Sequence, residues 1–488
     1  MNRSGSVVQM DPLMRKALLS TVLAIAWAVC LLPTRSLAAP QKHPNIILFF
    51  VDNLGHGDLG CTGSQQHRTP HIDRLAEEGL KLNSFYSASG VCTPSRAALL
   101  TGCYPRRVNM HESETGSAVL RPVSSKGLHP DERTIAEVLK SVGYTTGIFG
   151  KWHLGDQPSF LPTRHGFDEY LGIPYSDDMT PREGTPWPPL PLIKEEDVIE
   201  APVDRNLLAS QCTKAAVDFI ARHRHQHFFL FLPHPMPGST KTPFASQAFR
   251  GKSANGSYGD SVEELDWCTG EILRALDAYQ LTSNSLVIWT SDNGAPRRQP
   301  PQGSCAPYKG YGYDTSEGAM RMPCLARWPG HIPAGTSSDA LCTTMDLLPT
   351  FAAIAHAELP AHKIDGHNIL PILTSPQSET SPWDICGFGY YRLGQLQAIR
   401  AGQWRLDLPL SAAFVTLGRK TKPTPLALYN VVTDVSQEHD VASSRPDIVS
   451  RLTALAQPIR KEIGDVGQPG LGQRPAGMVP NPRPLKAF

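Results

Sequence analysis

Asn45-Ile46-Ile47-Leu48-Phe49-Phe50-Val51 runs directly into Asp52-Asn53. From Ile46 to Val51 nothing polar interrupts the run, so neither face of a strand here is solvated. That is the pattern of a strand in a parallel sheet covered by helices on both sides. Comparable runs lie at 145–149, 228–232 and 285–290. Helical periodicity is found at 70–79, 95–101, 134–142, 207–222 and 261–279. Strands alternating with amphipathic helices predict an α/β fold, with a mostly parallel central sheet flanked by helices.

The polar residues just after each run point to a site. The first run ends in Asp52-Asn53, the second leads into Lys151-Trp152-His153, the third into His234 and the fourth into Asp292-Asn293. In open α/β sheets ligands bind beyond the carboxyl ends of the strands. Asp52, Asn53, Asp292 and Asn293 are oxygen donors that suit a hard divalent cation, calcium before magnesium. Each pair alone would read as a common turn. It is the convergence on one sheet edge that argues for a site.

A second signal is Cys92-Thr93-Pro94-Ser95-Arg96, followed by Leu100-Thr101-Gly102. This pattern resembles the signature of formylglycine-dependent sulfatases. The same resemblance extends through residues 51–60 (V-D-N-L-G-H-G-D-L-G), 150–155 (G-K-W-H-L-G) and 290–294 (T-S-D-N-G). Residues 162–175, with Ser176 after them, are similar to the group containing arylsulfatase A and N-acetylgalactosamine-6-sulfatase. Matching pieces run from about residue 43 to residue 442.

The resemblance implies an alkaline-phosphatase-like sulfatase fold with a calcium ion. It also implies that Cys92 is oxidised to formylglycine, whose hydrate attacks sulfur, by a formylglycine-generating maturation enzyme. The substrate is then an aryl or carbohydrate sulfate ester, a sulfated small molecule or glycan. Arg96 orients the hydrate, and Lys151 offers a point charge to a sulfate oxygen. His153 moves a proton. Ser176 inherits a place beside the substrate.

The chain also departs from that pattern. Asn53 stands where the family usually has a second aspartate, which removes one negative charge from the metal site. The family's histidine near the leaving-group oxygen, in H-x-M-P-H, meets Gly238 here; His234, four residues earlier, is its only candidate substitute. The family's other sulfate-binding lysine is expected five residues before the glutamate of E-G-G. Lys309 lies eight residues before Glu317, so it fits only if the loop is longer.

Composition bounds the rest. Hydrophobic content of 40% supports a sizeable core, and a net charge of +1 argues against nucleic acid as a partner. Arg15-Lys16, an apolar run at 17–32 and small residues at 36–38 read as a signal peptide over residues 1–39. The run is shorter than the ~20 residues of a membrane span. A secreted or periplasmic protein without a stable membrane anchor is expected. The ten cysteines show no C-x-x-C spacing and do not reveal their pairing.

A catalytic domain is expected over 43–374 and a smaller C-terminal α+β domain over 383–466, with a poorly ordered Pro/Gly-rich tail at 467–488. Residues 178–203 read as a surface excursion without period. Two other functions stay open: a phosphodiesterase or phosphonate hydrolase of the same superfold, and a binding protein with impaired turnover. More carboxylate and histidine ligands would favour the first, and loss of Cys92 or His153 the second. The alcohol half of the substrate and the oligomeric state are also left open.

Overall fold

The computed structural model describes residues 43–298, 302–377, 380–410, 415–416, 419–420 and 423–485. The expected signal peptide lies outside them. From residue 43 onward the chain forms one compact unit.

Its centre is a ten-stranded sheet. The strands are β1 (Asn45–Val51), β2 (Leu80–Leu82), β3 (Thr145–Lys151), β4 (Glu169–Ile173), β5 (Leu192–Lys194), β6 (Asp197–Glu200), β7 (Phe228–Leu232), β8 (Ser285–Ser291), β9 (Cys324–Arg327) and β10 (Thr336–Ser338). They lie in the order β10-β2-β9-β8-β1-β7-β3-β4-β5-β6. The middle, β8-β1-β7-β3-β4, is parallel throughout. Antiparallel pairs extend the sheet at both edges. The excursion at 178–203 therefore carries β5 and β6, short edge strands whose register shift at Leu192/Ile193 suits an edge.

Flanking helices are α1 (Pro70–Glu77), α2 (Cys92–Thr101), α3 (Ile135–Lys140), α4 (Leu208–His223), α5 (Gly256–Ala278) and α6 (Leu347–Ala355). Alternation along β1 shows why both faces need cover. Ile46, Leu48 and Phe50 pack with residues of α2, α3 and α6, whereas Ile47, Phe49 and Val51 pack with α1, α4 and α5. Every residue of β1 is buried. A strand this apolar is stable only between two helical layers.

The C-terminal part adds a four-stranded antiparallel sheet: β11 (Phe388–Arg392), β12 (Gln395–Ala401), β13 (Trp404–Asp407) and β14 (Ala427–Asn430). Helix α7 (Pro446–Ile463) covers it through Leu452 and Ala456. Fully buried Glu317 ties this sheet to a small three-stranded one that contains Phe85–Tyr86 and Arg321–Met322. Its carboxylate accepts from Arg405 at 2.8 Å and Tyr390 at 2.9 Å, and from Tyr86; Arg321 lies 3.7 Å away.

The tail corrects an expectation. Gly477–Met478 pairs with Lys126–Gly127. Arg474 makes a two-pronged contact with Glu132 at 2.6 and 2.8 Å. Its Pro/Gly-rich composition suggested disorder, but its backbone and one arginine have specific partners. The described cysteines, Cys61 to Cys386, are all free thiols. Among the described residues no helix is long and apolar enough to cross a membrane.

Burial alone would raise Glu317, but Arg405, Arg400 and Arg321 hold it down at about 2. Glu317→Gln strands these arginines and should cost about 3–5 kcal/mol, read as a lower chemical-denaturation midpoint. The ordinary glutamate value is about 4.3. In wild type this contribution should be complete above that value and disappear as the pH falls through about 2.

Candidate active site

The carboxyl ends of β1, β3 and β8 meet the N-terminus of α2. Helix α2 begins at Cys92 itself, with Pro94 in its first turn where a missing N–H costs nothing. One turn on, Arg96 is 1% exposed and touches three strands. Its Nη2 donates to Asp52 Oδ1 at 2.9 Å and Asp292 Oδ2 at 2.8 Å, and its Nη1 donates to the Lys151 carbonyl at 2.9 Å. Lys151 Nζ donates to Asp52 Oδ1 at 2.7 Å and to Ser176 Oγ at 3.2 Å, leaving one ammonium proton over. The two carboxylates are thus matched by two fixed cations.

Charge is shared unequally. Burial would raise Asp52, but Lys151 and Arg96 keep it well below the usual carboxylate range. Burial and then the Asp52 charge push Asp292 up to about 7. Carboxylate oxygens of both and Cys92 Sγ lie within 4.8 Å of one another. Burial, then Asp292 and Asp52, push the Cys92 thiol well above its usual value. A thiol so protonated is a poor nucleophile as it stands.

His153 lines the same cavity. Its Nε2 lies 3.1 Å from the Leu120 carbonyl, which makes that nitrogen the N–H donor, and buried Nδ1 keeps its lone pair with no protein partner. Burial, then Lys151 and Arg96, hold the ring well below the usual histidine range, so it is neutral. Asn53, His153 and Tyr313 all hold left-handed backbone, at φ 65°, 64° and 82°. Such conformations cost of order 1–3 kcal/mol each and collect at functional sites.

The chain matches the Sulfatase family over residues 44–357. It is 36% identical to human arylsulfatase A over 450 residues, 86% of this chain and 88% of that one. Porcine N-acetylgalactosamine-6-sulfatase is 38% identical over 381 residues, 75% and 72% of the two chains. The chain belongs to the sulfatases. A solved Bacteroides thetaiotaomicron structure, from work on the metabolism of multiple glycosaminoglycans, superposes with TM-score 0.74 at 27% identity, over 86% of this chain and 99% of the other. An Agrobacterium radiobacter phosphonate monoester hydrolase shares the fold at TM-score 0.56 and 17% identity, covering 85% of this chain and 95% of that one. This sulfatase is accordingly a sulfuric ester hydrolase acting on sulfated substrates.

Of the residues expected in the site, Cys92, Arg96, Lys151, His153, Ser176, Asp52, Asn53, Asp292 and Asn293 come together. Two do not. Lys309 turns its Nζ to the Gln437 carbonyl at 3.2 Å and lines a different cavity. His234 is buried, its ring stacked 6.3 Å from Phe49 with neither nitrogen bonded, and burial pulls it down to about 4. It lies inside the apolar layer rather than on the cavity wall.

Position 238 offers no place for a histidine. Gly238 has φ 79°, and a Cβ there would lie 2.7 Å from Asp177 Oδ1. The loop after β7 instead delivers Ser239. Its Oγ accepts from Asn53 Nδ2 at 2.9 Å and lies 3.4 and 3.3 Å from the Ser176 and Tyr313 hydroxyls, of which its second lone pair takes one at a time; the residue lines the cavity beside Cys92. Asp177 Oδ1 accepts the Ser239 N–H at 3.1 Å and fixes the loop. Sequence reasoning missed Ser239 and Tyr313, for an isolated serine or tyrosine in a loop carries no signal beyond its place after a strand.

The donor set fits a hard cation. Two buried carboxylates converge, and Asn293 Oδ1 is a buried acceptor with no protein partner.

Across sulfate esters of graded leaving-group pKa, His234→Ala should leave the slope of kcat/KM unchanged. Ser239→Ala should steepen it, costing about tenfold for sugar-like alcohols, the worth of one hydrogen bond, and little for activated phenols. A steeper slope in His234→Ala would return the role to the imidazole.

Proposed function

We propose that this sulfatase is an exported enzyme that cleaves aryl or carbohydrate sulfate esters, with residue 92 converted to formylglycine by a maturation enzyme and one calcium ion held by Asp52, Asn53, Asp292 and Asn293. The observation that carries this is Cys92 itself: a buried, protonated thiol at a helix start, within 4.8 Å of two carboxylates. Once in place, the two groups supply a hydrated aldehyde as oxygen nucleophile and a positive charge for the sulfate oxygens.

The chain's own residues do the rest. Lys151 offers its remaining ammonium proton to a sulfate oxygen. The N-terminus of α2 adds favourable dipole at the same place. Neutral His153 accepts a proton at Nδ1 while Nε2 stays anchored to Leu120. Ser239 donates toward the leaving oxygen. Arg96 keeps both carboxylates aimed. The intact set Cys92, Arg96, Lys151 and His153 favours turnover over a binding role. Among the described residues one acidic cluster suits a metal, which favours a single-ion sulfatase over a two-metal phosphodiesterase.

Mass spectrometry of the peptide around residue 92, from protein made beside a maturation enzyme, should show aldehyde in place of thiol. Cys92→Ala should abolish sulfate release with the melting temperature retained; fully active enzyme with an unmodified thiol would overturn the mechanism.

Asn53→Asp tests the metal. Without calcium the new carboxylate faces Asp52 Oδ2, 3.0 Å from the present Nδ2, and loses that donor. Melting in chelator should fall by the equivalent of about 1–3 kcal/mol, and the rise on adding calcium should exceed that of wild type. A smaller rise would remove Asn53 from the ligand set.

A further inference from the structure

The cavity beside Cys92 has a volume of about 220 Å³. Sites that enclose a drug-sized ligand run to roughly 300–1,000 Å³, so a larger alcohol half must extend over the rim. Arg121, half-buried, lines this cavity together with Val119, Asp178 and the buried Met179. Its Nε donates to Ser117 Oγ at 3.2 Å, which holds the guanidinium in place. The Arg121 guanidinium carbon lies 5.7 Å from the Trp187 ring centre, and that of Arg182 lies 4.6 Å from the same ring.

Two like charges are therefore gathered on one indole. Among the described residues no ion pair within 4.0 Å involves either of them. Burial and the Arg182 charge disfavour the charged form of Arg121, and the Asp178 carboxylate on the cavity wall works against them. Cation–π contact is weak where it is exposed and leaves the outer N–H groups of both arginines without a protein acceptor among the described residues. Paired guanidinium forks suit a planar carboxylate or a sulfate.

We propose that Arg121, Trp187 and Arg182 form a subsite for a second anionic group on the substrate. The sulfatase thus acts on an acidic carbohydrate, in which the sugar next to the sulfated one bears a carboxylate or another sulfate. This rests on the sulfatase reading and names its substrate class.

The test compares a sulfated disaccharide carrying a uronate, its neutral uronate methyl ester, and an analogue with a second sulfate in place of the carboxylate. Wild type should favour one or both acidic forms over the ester by about tenfold in kcat/KM at low ionic strength, and less as salt rises. Arg121→Gln/Arg182→Gln should bring the ratio to within about twofold of unity. Arg182, which is exposed, gives in Arg182→Gln a variant that folds and should lose part of the preference. Equal rates on all three substrates in wild type, or a preference retained in the double variant, would overturn the subsite and leave the sulfatase reading standing. If wild type releases no sulfate from any of them, that reading fails instead. Calorimetry with the desulfated uronate disaccharide then decides the subsite alone: binding lost in the double variant upholds it, and no binding to wild type overturns it.

Discussion

Arg96 is the contact on which the site's geometry depends. One guanidinium reaches from α2 to the side chains ending β1 and β8 and to the backbone ending β3. Taking a charge out of water costs several kcal/mol, and here the geometry must return it. It does so by neutralising two carboxylates that would otherwise repel each other. The planar fork matters, since a lysine could not span these acceptors at fixed angles. Because Arg96 sits one turn after Cys92, the same contact sets the depth of residue 92 beneath the sheet edge.

Around that hub the chain accepts strain. Asn53, His153 and Tyr313 hold left-handed backbone in the site, where each aims a polar group that an extended backbone would turn elsewhere. The rigid parallel middle of the sheet makes this tolerable, for β1 is buried along its whole length. The buried cluster of Glu317 with Arg321, Arg400 and Arg405 does a comparable job at the join with the C-terminal sheet. Perturbed titration therefore marks both an active site and a structural joint in this molecule. Only the cavity beside Cys92 tells them apart.

Ser239 shows how a sulfatase can depart from its relatives' pattern. The loop after β7 is pinned by Asp177 and by Gly238, whose backbone N–H reaches the Asp52 carbonyl at 3.1 Å. With no room for a ring at position 238, a hydroxyl from the next residue faces the cavity. A serine hydroxyl donates a hydrogen bond but is a far weaker acid than imidazolium.

Much was legible in the amino-acid sequence by itself. The apolar runs at 46–51, 228–232 and 285–290 determined a parallel sheet, because strands so lacking in polar faces have no other stable place. Polar pairs after those runs located the site edge, and Cys92 to Arg96 identified its chemistry, because these features are local and keep their spacing. Only the tertiary structure decided that His234 turns into the apolar layer, that Lys309 serves another loop, and that the tail after residue 467 docks onto Glu132 and Lys126. It alone gathered Ser239, Tyr313 and Arg121 around one cavity. Those outcomes depend on contacts between residues far apart in the chain, and on backbone turns at single positions, which no run or period encodes.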